Sequence, residues 1–434
     1  MEVDPHSEMK CFKQCSAGLL MAAAFGGAVC AASEPSGGEE ILVARVRAVM
    51  AEMLHRLPDY TCVETIERST RPSGTEKFHQ LDRVRVEVAY FKGSELYAWP
   101  GATRFEARDL ADMVGGEGAI GTGDFALHLM ATYRGPAPLH FAGRDTVRGR
   151  AALKFTQTVP IALSTFKVGT PERFVVGYEV TAWHDAQSLA LLRFELLVTQ
   201  FPPGMPLRKT FKAIDYEEVT VGGSVFRLPV GTELSMVHVN GVENRTISRF
   251  ARCRQYLGES TITFGDMDEG AAPAAQRTQG SLPAGVKVAA RLSQETELAD
   301  TARGDLLEMA VTQNVVSKGR TVLARGARLS ARVEGVFCGM QPYAHCFVLV
   351  KGENYEDASR AGSFVGSLEQ PTLESLLQQN QKLFRGEQRM RIPDQVVRTA
   401  QDVSVLFAGG ANTKLPRGYP LIWRTLEVPG GSRP

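Results

Sequence analysis

The chain lacks a surplus of charge of either sign: 49 lysines and arginines stand against 48 aspartates and glutamates in 434 residues. Binding nucleic acid or a strongly anionic surface draws on a concentrated basic field, and no basic run here is dense enough to supply one locally. A convincing membrane span is also missing. The apolar core at residues 17–29 is too short, and too rich in Ala and Gly, to cross a bilayer as a helix. Histidine is sparse, and no pair of the 8 histidines has the spacing of metal ligands. No catalytic motif survives inspection of its context, so neither a catalytic residue, a metal nor a cofactor is expected.

What the amino terminus does have is the pattern of a secretory signal. Lys10 and Lys13 precede an uncharged stretch over residues 14–33, and Val29-Cys30-Ala31 offers small residues for cleavage near Ala32, with Met9 as an alternative start. Residues 1–32 are therefore expected to be a signal peptide and the mature chain periplasmic or secreted. Cys30 leaves a lipoprotein anchor open, although Val29 stands where a lipobox has Gly, Ala or Ser; an uncleaved, weakly apolar anchor is a further alternative. Cleavage would remove two of the basic and three of the acidic residues, leaving a net +2.

Export changes how the cysteines read. Beyond the signal there remain Cys62, Cys253, Cys338 and Cys346, an even number suited to two bridges in an oxidising compartment. Four cysteines allow three pairings, among which sequence does not choose; chain position favours Cys62 with Cys253 and Cys338 with Cys346. A zinc site from Cys338, His345 and Cys346 would lack a fourth ligand.

About 400 mature residues suit two domains. Residues 265–281, rich in Gly, Ala, Pro and charge with no apolar period, read as a linker between a domain at 40–264 and one at 282–428. The first opens on an amphipathic helix at 40–57, ended by Pro58. Alternating runs predict strands at 83–91, 95–99, 151–159, 173–184, 189–201, 207–221 and 232–239, with short helices at 107–114 and 124–133, the latter starting on the acidic Asp124. Leu, two residues, Gly, two residues and an aliphatic recur at 228–234, 282–288, 323–329 and 415–421, which predicts four tight turns. One helix is expected at 373–384. The fold class is α+β, mostly β: a curved antiparallel sheet, or half-barrel, with covering helices, plus a smaller β-barrel-like domain.

Three motifs fail on context. Gly116-Glu117-Gly118-Ala119-Ile120-Gly121 matches a dinucleotide fingerprint, but no βαβ unit surrounds it, and a flexible rim loop is the better reading. Ser164-Thr165-Phe166-Lys167 has none of the partner motifs of penicillin-recognising enzymes. His184 and Asp185, with Ser188 near, would form a hydrolytic triad only if a turn aligned them, and no nucleophile elbow is present. Asp215 and Glu217 read as a solvated strand face. Phe141, Phe155, Phe166, Phe174, Phe194 and Phe211 lie on or beside successive strands; they either fill a core or line a groove for an acyl chain or apolar peptide.

The order of opening helix, curved sheet and short helices, with the hairpin from Gly177-Tyr178-Glu179 to Leu191-Leu192-Arg193 turning at His184-Asp185, resembles periplasmic lipoprotein carriers of the LolA type and the related lipid-sensing domain of RseB. That resemblance implies a half-barrel that shields an acyl group without catalytic residues. Leu57-Pro58-Asp59-Tyr60-Thr61-Cys62, Gly123-Asp124-Phe125 and Cys253-Arg254-Gln255-Tyr256 are similar to phrases in uncharacterised secreted two-domain bacterial proteins. Leu282-Pro283-Ala284-Gly285 and Leu323-Ala324-Arg325-Gly326 look like the β-barrel subunit of conjugative type IV secretion cores. The expected function is a non-enzymatic envelope protein that binds a lipid or apolar peptide and has an envelope protein as a further partner. A scaffold with a filled core and a hydrolase of envelope material are the alternatives.

Overall fold

A computed structural model describes residues 37–102, 104–105, 109–169, 172–256, 278–339, 345–369, 403–409 and 413–427. The predicted signal segment with Cys30, the linker up to residue 277 and the helix expected at 373–384 lie outside the described residues. The opening helix is α1 (Gly37–Arg56), whose Val46, Met50 and Leu54 are buried. Twelve strands follow in the first half: β1 (Tyr60–Arg71), β2 (His79–Phe91), β3 (Ser94–Ala98), β4 (His140–Val147), β5 (Arg150–Val159), β6 (Lys167–Val168), β7 (Phe174–Val175), β8 (Gly177–Asp185), β9 (Leu191–Gln200), β10 (Leu207–Val221), β11 (Ser224–His238) and β12 (Glu243–Gln255). Helices α2 (Leu110–Val114) and α3 (Leu127–Arg134) lie between β3 and β4.

Ten strands form one antiparallel sheet in the order β3-β2-β1-β12-β11-β10-β9-β8-β5-β4, while β6 and β7 make a separate small hairpin. A sheet this wide must twist and curl to bury one face, and bulges at Thr61/Val63, Asp215/Tyr216 and Trp183/His184 help it bend. Its inner face packs Val84, Val86, Phe155, Val180, Phe194 and Ile214 against Met50 of α1 and Leu129 of α3 in one apolar cluster. The amino-terminal hairpin closes on the last strand, because β1 pairs with β12, and the Cys62–Cys253 disulfide crosses that seam with Cα atoms 4.1 Å apart.

Among the described residues the second sheet has nine strands and its own cluster around Trp423, Val288, Met309 and Leu329. The Ser404–Gly409 strand pairs with His345–Glu356, and Gly366–Leu368 pairs with Pro420–Thr425. Across the remaining gap Leu368 N donates to Ser404 Oγ at 2.8 Å, which links these strands and curls the sheet into a barrel-like shape without a closing ladder among the described residues. Cys338 and Cys346 stand opposite each other in register and are bridged. Three of the four Leu-x-x-Gly repeats turn at a glycine of positive φ, at Gly285, Gly326 and Gly418. The first repeat does not: Gly231 lies inside β11, where its strand pairs on both sides and no turn is needed.

The barrel docks on β2. Arg85 N donates to Arg303 O (2.8 Å) and Arg303 N to Arg83 O (2.9 Å), so residue 303 adds to the strand as a parallel bridge. Arg85 also pairs with Asp305 at 2.5 Å, and Arg332 donates to Pro100 O at 2.9 Å.

Candidate functional site

The inner face of the first sheet is not uniformly apolar. Strand alternation sends Tyr60, Cys62, Glu64, Ile66 and Arg68 of β1 inward, so that a carboxylate and a guanidinium share the buried face with the core. Thr246 and Ser248 of β12, Thr232 of β11 and Lys212 of β10 are likewise buried, forming a polar band across four strands. Burial, and then the nearby Asp124, pushes the Glu64 carboxyl up to about 8.

The segment between α2 and α3 covers this band. Helix α2 is capped by Asp109, whose Oδ1 accepts from Ala111 N at 3.0 Å, and ends at Gly115. The glycine-rich stretch 115–123 then crosses the sheet. Glycine is required at Gly123, where φ is +86° and a Cβ would sit 3.1 Å from His128 Nε2; at Gly121 a Cβ would meet Lys212 Nζ at 3.2 Å. Thr246 Oγ1 donates to Ala119 O (2.7 Å), and Arg68 Nη1 donates to Gly115 O (2.9 Å) while its other nitrogens grip Asp82.

Lys212 pairs with the buried Asp124 and donates to Thr122 O at 2.7 Å. His128 Nε2 lies 3.3 Å from the same ammonium and 3.2 Å from Thr122 O; burial and then the Lys212 charge hold the imidazole neutral, down at about 3. Glu95 accepts from Gly123 N (2.7 Å), Phe125 N (2.9 Å) and Tyr97 Oη (2.7 Å), yet burial still raises it above the ordinary carboxylate range. Asp124 therefore does not start α3 as an acidic first turn. It lies before the helix, whose N-cap is Ala126 without a side-chain cap, because the buried Lys212 takes the carboxylate instead.

Between the glycine-rich cover, the β6–β7 hairpin and the ends of β9, β10 and β11 lies a cavity of about 220 Å³. Ile120, Phe166, Leu196, Leu207, Leu234 and Met236 supply its apolar lining. Thr210 also lines it, and the Thr210 hydroxyl is buried with no hydrogen-bond partner among the described residues. Arg173, Asp109 and Lys167 border the cavity. Arg173 and Asp109 form an ion pair, whereas Lys167 is exposed and makes no ion pair among the described residues. Past Ile120 the space continues into a recess of about 410 Å³ beside Arg68, Thr70 and Glu117.

The aromatic residues singled out in the sequence are dispersed. Phe166 lines the cavity. Phe155 and Phe194 are fully buried in the apolar cluster, and Phe141 and Phe174 pack half-buried against it. Phe211 alternates with the inward Thr210 and Lys212, so it lies on the outer face opposite Leu197. Glu64, Glu95, Asp124 and Lys212 carried no sequence signal as a group, because they come from four separate elements.

His184, Asp185 and Ser188 form a hairpin turn and no triad. Ser188 Oγ, Ser188 N and Gln187 N all donate to Asp185 Oδ1, which holds that carboxyl down at about 2. The fully buried His184 donates from Nδ1 to Leu189 O (2.8 Å) and accepts at Nε2 from Tyr133 Oη (2.7 Å), and burial lowers it to about 4. Asp215 and Glu217 are matched by Arg148, with Arg193 also on Asp215. Among the described residues no group of three or more His, Cys, Asp or Glu is placed to hold a metal ion, and no helix is long and apolar enough to cross a membrane.

No protein-family model matches the chain, and no curated protein sequence does. Among solved structures, it is similar to a DUF1329 family protein from Desulfovibrio piger, at 11% identity and a TM-score of 0.28 over 50% of this chain and 94% of that one. An outer membrane lipoprotein-sorting protein domain from Vibrio parahaemolyticus matches at 11% identity and 0.27, covering 50% and 92%. A LolA superfamily protein from Nitrosomonas europaea matches at 9% identity and 0.25, covering 49% and 93%.

Proposed function

We propose that the chain is a non-enzymatic binding protein of the bacterial envelope that holds a lipid or other apolar ligand in the first of two domains, residues 40–264. The observation that carries this reading is the cavity under the glycine-rich cover: a mostly apolar floor, an unpartnered buried hydroxyl and an opening at the sheet's end are the ingredients of a small-molecule site. The site in this reading centres on Phe166 and the inward ends of β9 to β11, with Phe141, Phe155, Phe174 and Phe194 as its supporting core and Phe211 outside it. Two disulfides suit an oxidising compartment, which supports an exported chain. The barrel, residues 282–428, would then serve attachment to an envelope partner.

A second reading, a scaffold, is favoured by the closed packing of Phe155 and Phe194 beneath α1 and α3. Native mass spectrometry with lipid extraction separates the two, on protein exported in cells and purified without delipidating detergent. A stoichiometric bound lipid is the expected result. A clean apo mass would move the weight to the scaffold.

A further inference from the structure

Charge at the cavity is matched group by group, with one exception. Arg173 is neutralised by Asp109 at the border, and Lys212 by Asp124 at the inner end. Lys167, carried on β6 beside the cavity-lining Phe166 and Val168, has no such partner among the described residues. The opposite recess has the reverse character, since Arg68 is bound to Asp82 and the exposed Glu117 has no ion-pair partner among the described residues. An anion is thus favoured at the Lys167 end and disfavoured at the other.

Size narrows the ligand further. The chamber, at about 220 Å³, is smaller than the roughly 300–1,000 Å³ of drug-sized ligand sites. The recess beyond Ile120 is bordered by Arg68, Thr70, Glu117, His238 and Asn244, so the apolar space ends with the chamber and suits one alkyl chain better than a bundle. From this geometry we infer that the ligand is a single-chain amphiphile with a monoanionic carboxylate head. The carboxylate sits at Lys167 and the chain runs inward over Leu207, Leu234 and Met236. This deepens the binding function proposed above and rests on it.

Isothermal titration of the full chain, stripped of co-purified lipid, with dodecanoate and with methyl dodecanoate tests the inference. The two probes share a chain and differ in charge. The wild type should bind dodecanoate about two- to fivefold more tightly than the ester, and Lys167→Gln should abolish that preference while leaving the ester's affinity unchanged; an exposed charge pair is worth about this much. Lys167 is exposed, so the variant keeps its fold. Equal binding of both probes by the wild type, or a preference that survives in Lys167→Gln, overturns the carboxylate assignment and leaves apolar binding standing. Binding of neither probe overturns both.

Discussion

Replacing Glu64 by Gln should make the protein more stable, by an amount that grows with pH. Glu64 is 3% exposed on the inner face, and its carboxyl is pushed up from 4.5 to about 8 by burial and by Asp124. The folded state therefore keeps a proton that the unfolded chain releases. A raised folded pKa contributes stability that is fully present below about pH 4.5 and is lost as the pH rises through 8. Each unit of difference corresponds to about 1.4 kcal/mol, so the wild type forfeits about 3 kcal/mol by pH 7 and about 5 kcal/mol above pH 8. Glutamine keeps the shape and hydrogen-bonding capacity but has no proton to lose. Urea unfolding of wild type and Glu64→Gln at pH 4, 5.5, 7 and 8.5, with disulfides intact, isolates this group because the other titrations largely cancel in the difference. The variant's advantage should climb by about 3 kcal/mol between pH 4 and pH 7. A difference that stays flat within about 1 kcal/mol over that range would refute the reasoning, since it would mean that Glu64 titrates alike in both states.

Free-thiol labelling of the unfolded, unreduced chain should find none of Cys62, Cys253, Cys338 and Cys346 reactive. The two bridges span 191 and 8 residues, so removing the first pair should cost about 5 kcal/mol and the second about 2.5 kcal/mol; the reverse order in urea midpoints would contradict the loop-entropy account. Tyr133→Phe should cost about 1–3 kcal/mol by leaving His184 Nε2 buried without a donor, and unchanged stability would count against that hydrogen bond. Because burial lowers His184 to about 4 and His128 to about 3, both should be neutral by NMR at pH 5.5, and each should erode stability as the pH falls from 6.5 through those values; an imidazolium at pH 5.5 would be the contrary result. Arg303 Nη1 donates to Val114 O at 2.6 Å, where α2 runs into the glycine-rich cover. Arg303→Ala should speed hydrogen exchange at residues 115–122 while Arg85–Asp305 still holds the barrel, and unchanged exchange would show that this contact does not steady the cover.

Period and punctuation were legible wherever one physical force acted alone. The apolar stripe of α1 and the alternation of β2 and β9 could be read directly, because their inward residues are hydrophobic and burial requires that pattern. The even set of four cysteines anticipated two bridges, and chain position favoured the pairs that the sheets join. Strands β1 and β12 escaped notice for the opposite reason. Their inward positions carry Glu64, Arg68, Thr246 and Ser248, so alternation of polarity does not mark their buried face. Those same side chains build the polar band under the cover, and the two failures have one cause. A buried carboxylate beside a lysine is tolerated only when partners arrive from elsewhere in the chain, and here they come from residues 122–128, more than 80 positions from Lys212. Sequence determined the elements whose buried face is apolar and three of the four Leu-x-x-Gly turns. Tertiary structure alone decided that a glycine-rich segment crosses the sheet, that Lys212 finds Asp124, and that one unmatched lysine is left at the mouth of the cavity, because pairing between distant segments is a property of the folded surface and leaves no local period to read.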